Sequence, residues 1–154
     1  MHAATTRHYG VRGMAKQGTK FLGLVVRSNF TYESIHQKLK SPLRKGKTYE
    51  MEMYVAMSNT LQSSDALTKK TVRFDQPAII RIWGVEKVCD TKELLYESEP
   101  IDNLNWEKLN ITFTPTVDHE RIMFEAFYDK MIDGEYNGNV LLDGISDIRE
   151  KTEK

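Results

Sequence analysis

The chain has 154 residues, 40% hydrophobic and 29% charged, with 22 basic and 22 acidic side chains. That length suits one domain with a core of its own, and the charge balance gives no net field toward nucleic acid or anionic lipid. No apolar run reaches the ~20 residues of a membrane-crossing helix, and the opening segment, with Arg7, His8, Arg12 and Lys16, lacks the apolar stretch of a secretory leader. The single cysteine, Cys89, excludes an intrachain disulfide and a cysteine-rich zinc site. Neither a nucleic-acid partner nor membrane insertion is expected.

In chain order, residues 1–17 read as a flexible lead-in. Phe21–Arg27 and Tyr32–Leu39 read as strands, separated from the next by "SPLRKGK" with Pro42 and Gly46. In "TYEMEMYVAMS", Tyr49, Met51, Met53, Val55 and Met57 alternate with Glu50, Glu52, Tyr54, Ala56 and Ser58. That period of two is a half-buried strand, because a helix would scatter the same residues around its circumference. Asn59 to Pro77 reads as a long polar connection, with at most a turn in "SSDALTKKT". Ala78–Trp83 is a strand with Ala78, Ile80 and Ile82 on one face and Ile79, Arg81 and Trp83 on the other. A short strand is expected at Leu94–Glu97. In Trp106–Thr114, Leu109, Ile111 and Phe113 oppose Trp106, Lys108, Asn110 and Thr112. Arg121–Tyr128 and Asn139–Ser146 complete the set, and 149–154 is a charged tail. Asp143-Gly144 reads as part of one closing strand rather than a hairpin turn, with Gly144 permitting a bulge. Seven or eight strands without sustained helical periodicity imply an all-β antiparallel sandwich or barrel.

The catalytic inventory is thin. Four histidines, His2, His8, His36 and His119, form no metal or nucleophile motif. Glu50 and Glu52 share a strand face, roughly 6.5–7 Å apart by strand rise. They are either a glycosidase-like carboxylate pair or part of a solvated sheet face. With no positioned nucleophile or base, no enzyme activity is expected. Aromatic rings beside polar side chains suit a sugar, whose C–H face stacks on a ring while its hydroxyls meet amides, carboxylates and guanidinium groups. Trp83 with Arg81, and Tyr54 with Glu50 and Glu52, have those ingredients. Trp106 is a further candidate, and core packing is the competing reading for both tryptophans.

The order of segments resembles a family. "FLGLVVRSNFTYESIHQKLKSPLRKGKTYEMEMYVAMS", then "IRIWG", "CDTKELLYES", Trp106, "FTP" and the closing "GNVLLDGIS", is similar to carbohydrate-binding-module-like and galactose-binding-like jelly-roll domains of secreted Bacteroidetes proteins. Some of those are joined to gliding-motility or OmpA-like outer-membrane parts. The resemblance covers about Gly18 to Ile148. It implies an antiparallel jelly-roll β-sandwich over 18–148, in an extracytoplasmic setting. It also implies a structural calcium, with Asp143 matching the last-strand ligand and Gly18 and Lys20 in the place of the carbonyl donors. The chain departs from the pattern where a first "N-x-x-F-E" strand would stand. That departure predicts a sandwich lacking its usual first strand, one calcium ligand fewer, and an open sheet edge suited to a dimer contact or a partner's strand. Calcium needs six to eight oxygens, so Asp143 is expected to accept hydrogen bonds rather than to hold metal. Two functions follow as expectations. One is a non-catalytic glycan-binding module using Tyr54, Arg81, Trp83, Glu52 and Trp106. The other is a structural or adhesion domain of the cell envelope without glycan binding.

Overall fold

A computed structural model describes residues 10–11, 13–86, 92–129 and 136–152; Cys89, His2 and His8 lie outside them. Among the described residues the regular structure is strand: β1 (Leu22–Val26), β2 (Ser34–Leu43), β3 (Tyr49–Ala56), β4 (Gln62–Ser64), β5 (Thr71–Arg73), β6 (Gln76–Val85), β7 (Lys92–Glu97), β8 (Glu107–Phe113), β9 (His119–Tyr128), β10 (Gly138–Asp143) and β11 (Arg149–Glu150). No described helix is long and apolar enough to cross a membrane.

Pairing sorts the long strands into two four-stranded sheets. The back sheet runs β1-β10-β3-β8, antiparallel throughout. The front sheet runs β2-β9-β6-β7, also antiparallel. Chain order alternates between them, apart from the β6–β7 hairpin, and this is jelly-roll topology. A short parallel contact, Gly138 to Gln76 and Asn139 to Pro77, joins the sheets at one corner.

The core follows from the alternation. Met51, Met53 and Val55 of β3 and Val140 and Leu142 of β10 face Ile80 and Ile82 of β6 and Ile122 and Phe124 of β9, and all are buried. Each inward side chain withdraws apolar surface from water, worth about 1.5–3 kcal/mol when fully buried.

Several boundaries differ from the sequence reading, each for a local reason. β2 continues through Pro42 to Leu43. It is the outer strand of its sheet, so Pro42 can lack an N–H without breaking a ladder. Lys38, Lys40 and Pro42 along this strand are also residue types that discourage strand addition.

The polar stretch after Asn59 holds the β4–β5 hairpin. Its turn is built by Asp65, whose Oδ1 accepts N–H bonds from Leu67 (3.0 Å) and Thr68 (2.8 Å). Behind the back sheet, Val11, Ala56, Leu61, Phe74 and Leu141 form a second apolar cluster. The lead-in expected over 1–17 therefore meets the domain before Gly18: Val11 is 8% exposed.

The closing strand is continuous in direction but broken in register. β10 pairs Asp143 with Tyr54, and β11 pairs Arg149 with Glu50 on the same side of β3. Going from Asp143 to Arg149 advances six residues, while going from Tyr54 to Glu50 advances four, so two residues bulge. Gly144 stands at the start of that bulge with φ +57, and a Cβ there would lie 2.9 Å from the Tyr54 ring. Part of the expected tail, Arg149 and Glu150, is thus strand.

Candidate functional site

The outer face of the front sheet gathers the richest set of side chains. In an antiparallel ladder, residues directly opposite share a face. Ser34, Glu125, Arg81 and Glu97 form one cross-strand row. His36, Met123, Trp83 and Leu94 form the next. Rows are two residues apart along β2, β9 and β6, about 6.5–7 Å, and three apart along β7, where the register shifts.

Trp83 is half-buried on this face. Its Nε1 donates to Glu125 Oε1 at 3.2 Å. The Glu125 side chain is 3% exposed, and Lys92 Nζ lies 3.5 Å from its other oxygen. The same ammonium sits 4.2 Å from the centre of the Trp83 ring, within cation–π range. Arg81 donates through Nε to Glu97 at 2.8 Å and lies with Cζ 3.7 Å from the Phe127 ring centre. Tyr32, 40% exposed, packs edge-on against Phe127 at 5.1 Å. The indole is thus fixed by a buried carboxylate and flanked by cations, carboxylates and a second aromatic group.

The sequence-derived candidates divide between faces. Trp83 and Arg81 stand together on the front sheet. Tyr54 and Glu52 point outward from β3 in the back sheet, on the opposite side of the sandwich, so the set does not converge on one ligand. Glu52 meets Lys108 at 3.3 Å and Glu50 meets Arg149 at 3.5 Å. Each carboxylate of the suggested catalytic pair therefore has its own cation, as on a solvated face. Tyr54 is half-buried with Lys16 Nζ 4.8 Å from its ring centre. Trp106 belongs to the second apolar cluster: it packs edge-on against Phe21 at 5.5 Å, and its Nε1 donates to the Met14 carbonyl at 2.9 Å. Glu125, absent from the sequence-derived set, is the buried anchor of the front face. Its signal was a lone carboxylate between Met123 and Phe127 on one face of "RIMFEAFY".

The calcium expectation meets unfavourable donor chemistry. Asp143 Oδ2 accepts N–H bonds from Lys16 (2.7 Å) and Gln17 (2.9 Å), and Oδ1 accepts one from Gly144 (2.7 Å). Both oxygens are spent on amide donors. The amides of 16 and 17, rather than the carbonyls of Gly18 and Lys20, meet this carboxylate. Among the described residues no group of three or more His, Cys, Asp or Glu could hold a metal. This cradle fits an anion, not a cation.

Clefts lie elsewhere. One of about 710 Å³ opens between β2 and the 145–150 segment, and one of about 300 Å³ lies beside Phe74 and Leu61. Trp83 lines neither. Its indole stands half-buried on the outer face of the sheet.

No protein-family model matches the chain, and no curated protein does. Solved structures are similar in fold. A CBM4 structure aligns at 12% identity and TM-score 0.53 over 93% of this chain and 92% of that one. The CBM22-1 xylan-binding domain of Paenibacillus barcinonensis Xyn10C aligns at 15% identity and TM-score 0.52 over 97% and 89%. A cyclase from Fischerella sp. TAU, in complex with 4-(1H-indol-3-yl)butan-2-one, aligns at 11% identity and TM-score 0.51 over 96% and 72%. At these identities the likeness is one of fold: the chain has the β-sandwich of carbohydrate-binding modules.

Proposed function

We propose that the chain is a non-catalytic glycan-binding domain that takes its ligand across the outer face of the front sheet, and that it serves a secreted or cell-surface bacterial protein. The observation that carries this reading is the half-buried indole of Trp83, locked by its N–H to the buried Glu125 and set beside Arg81 and Glu97. A ring held in one orientation loses little freedom when a sugar stacks on it, so more of the contact energy is left for binding. Carboxylate and guanidinium groups on the adjoining row offer acceptors and donors to hydroxyls. The outer face of a sheet suits a polymer running past it, and the fold likeness to carbohydrate-binding modules points the same way.

The second reading, an envelope adhesion or structural domain without glycan binding, draws on Lys92, whose ammonium already covers the Trp83 ring. Affinity electrophoresis and calorimetry with plant and mucin polysaccharides separate the two. The glycan reading expects binding by the intact protein and loss of at least about tenfold in Trp83→Ala, matching one stacking contact of roughly 1.4 kcal/mol. Silence across all polysaccharide classes would sink it in favour of the second.

A further inference from the structure

In three adjoining rows on the outer face of the front sheet, four cations (Arg81, Lys92, Lys38 and Arg121) stand against two carboxylates (Glu97 and Glu125). We propose that the glycan of this face is anionic, a pyranose polymer bearing carboxylate or sulfate groups. This rests on the reading of that face as a glycan site. Beyond the Trp83 row, Lys38 stands opposite Arg121, Arg121 opposite Val85, and Val85 opposite Lys92. One row across four strands thus holds three cations and no carboxylate. Two of the four cations in these three rows are matched: Arg81 by Glu97 at 2.8 Å, and Lys92 by Glu125 at 3.5 Å. Lys38 and Arg121 form no ion pair among the described residues.

Like charges directly opposite on a sheet are destabilising. The sheet keeps Lys38 and Arg121 in that relation without a carboxylate between them. A bound anion turns the repulsion into attraction. The row lies one step of about 6.5–7 Å from the Trp83 row. That step is the reach from a sugar stacked on the indole to an acidic substituent on it or on the next residue of the polymer. A neutral polymer leaves both cations unused. The back sheet shows no such excess around its outer carboxylates, where Glu52 faces Lys108 and Glu50 faces Arg149.

The test compares polygalacturonate, heparin, neutral xylan and single-stranded DNA by calorimetry, using the intact chain and five variants. Polygalacturonate or heparin is expected to bind more tightly than xylan, and added salt to weaken it. Arg121→Gln and Lys38→Gln each weaken the anionic polymer about two- to fivefold, and together roughly tenfold, as exposed charge contacts do. Lys70→Gln, on the β4–β5 hairpin, controls for net charge and changes nothing. Because Arg121→Gln and Lys38→Gln each remove a like-charge pair, their melting temperatures stay level or rise, so a loss of binding in them is not a loss of fold. Polygalacturonate binding assigns the row to a carboxylate and heparin binding alone assigns it to a sulfate; either supports the proposal. Xylan bound as tightly as both overturns it while the glycan reading stands. DNA bound as tightly as the acidic glycans, or retention that Trp83→Ala leaves intact, also overturns it. Binding of no polysaccharide removes both.

Discussion

The indole Nε1 of Trp83 donates a 3.2 Å hydrogen bond to Glu125, a carboxylate whose side chain is 3% exposed on the outer face of a sheet. A charge so withdrawn from water is tolerated only if its partners stay in place. Trp83→Phe keeps an aromatic ring but deletes the donor, leaving Lys92 as the nearest partner. We expect it to lower unfolding free energy by about 1–3 kcal/mol in urea titrations. In a double-mutant cycle with Glu125→Gln the two changes should couple by about 0.5–3 kcal/mol. An additive cycle would mean that the indole is held by something other than Glu125.

Gly84 and His119 make a second close relation. The His119 ring, 1% exposed, lies where a Cβ on Gly84 would come within 2.3 Å of Cδ2. The ring cannot step aside, since its Nε2 pairs with Glu93 at 2.9 Å, and Glu93 is held in turn by the Thr116 amide and hydroxyl. Gly84→Ala should therefore cost about 1–3 kcal/mol by overpacking. In the Gly84→Ala/His119→Ala double variant, the glycine change should cost much less than it does alone, as denaturant titration of the full cycle would show.

Much of the sandwich was legible where strands alternate: "YEMEMYVA" announces both strand and inward face, and "AIIRIW" does so from Ile80 onward. The β4–β5 hairpin was not, because three-residue strands are too short to show a period and their turn depends on Asp65. The site was legible only in part. Alternation tells which residues share a face of one strand, so Arg81 and Trp83 came together. It does not tell which sheet a strand joins, so Tyr54 and Glu52 were grouped with residues that lie across the sandwich. The row of Lys38, Arg121 and Lys92 exists only through non-local register. Trp106 shows how a tryptophan on the polar face of its strand can be recruited by a distant segment, here the Met14 carbonyl.

Asp65 ties the hairpin to one end of the back sheet, where β1 runs out past Val26 and β10 begins at Gly138. It is 2% exposed; Oδ2 accepts from Ser28 Oγ (2.6 Å) and Asn137 Nδ2 (3.1 Å), and Oδ1 from two amides of its own turn. The Ser28 hydroxyl foremost, with the Thr68 amide and Asn137, holds its carboxyl well below the usual range. Folding thus favours the ionised form. A carboxylate whose folded pKa is lowered contributes stability above its unfolded value, about 3.9, and loses it as pH falls toward the folded value. Glu93 has the same sign: burial pushes it up, but hydrogen bonds from Thr116 and His119 outweigh that and leave it lowered. Melting temperature should be insensitive to these groups from neutrality to about pH 5 and fall below pH 4. In Asp65→Asn the acid-dependent fall should be visibly shallower from a lower starting point. An unchanged slope would mean that Asp65 is not among the groups that drive it.

Asp143 decides between a metal and a hydrogen-bonded end for the closing strand. Its oxygens already accept from Lys16, Gln17 and Gly144, and a calcium ion would have to displace those amides while finding six to eight oxygens. Millimolar calcium or a chelator should leave the melting temperature unchanged. Asp143→Ala should lower stability by about 1–3 kcal/mol through the orphaned donors. Amide exchange at Lys16 and Gln17 should quicken well beyond that at Met53 in the core, because the lead-in loses its clasp before the sandwich opens. A melting temperature that calcium raises in the intact chain but not in Asp143→Ala would reverse the assignment and put a cation at this carboxylate.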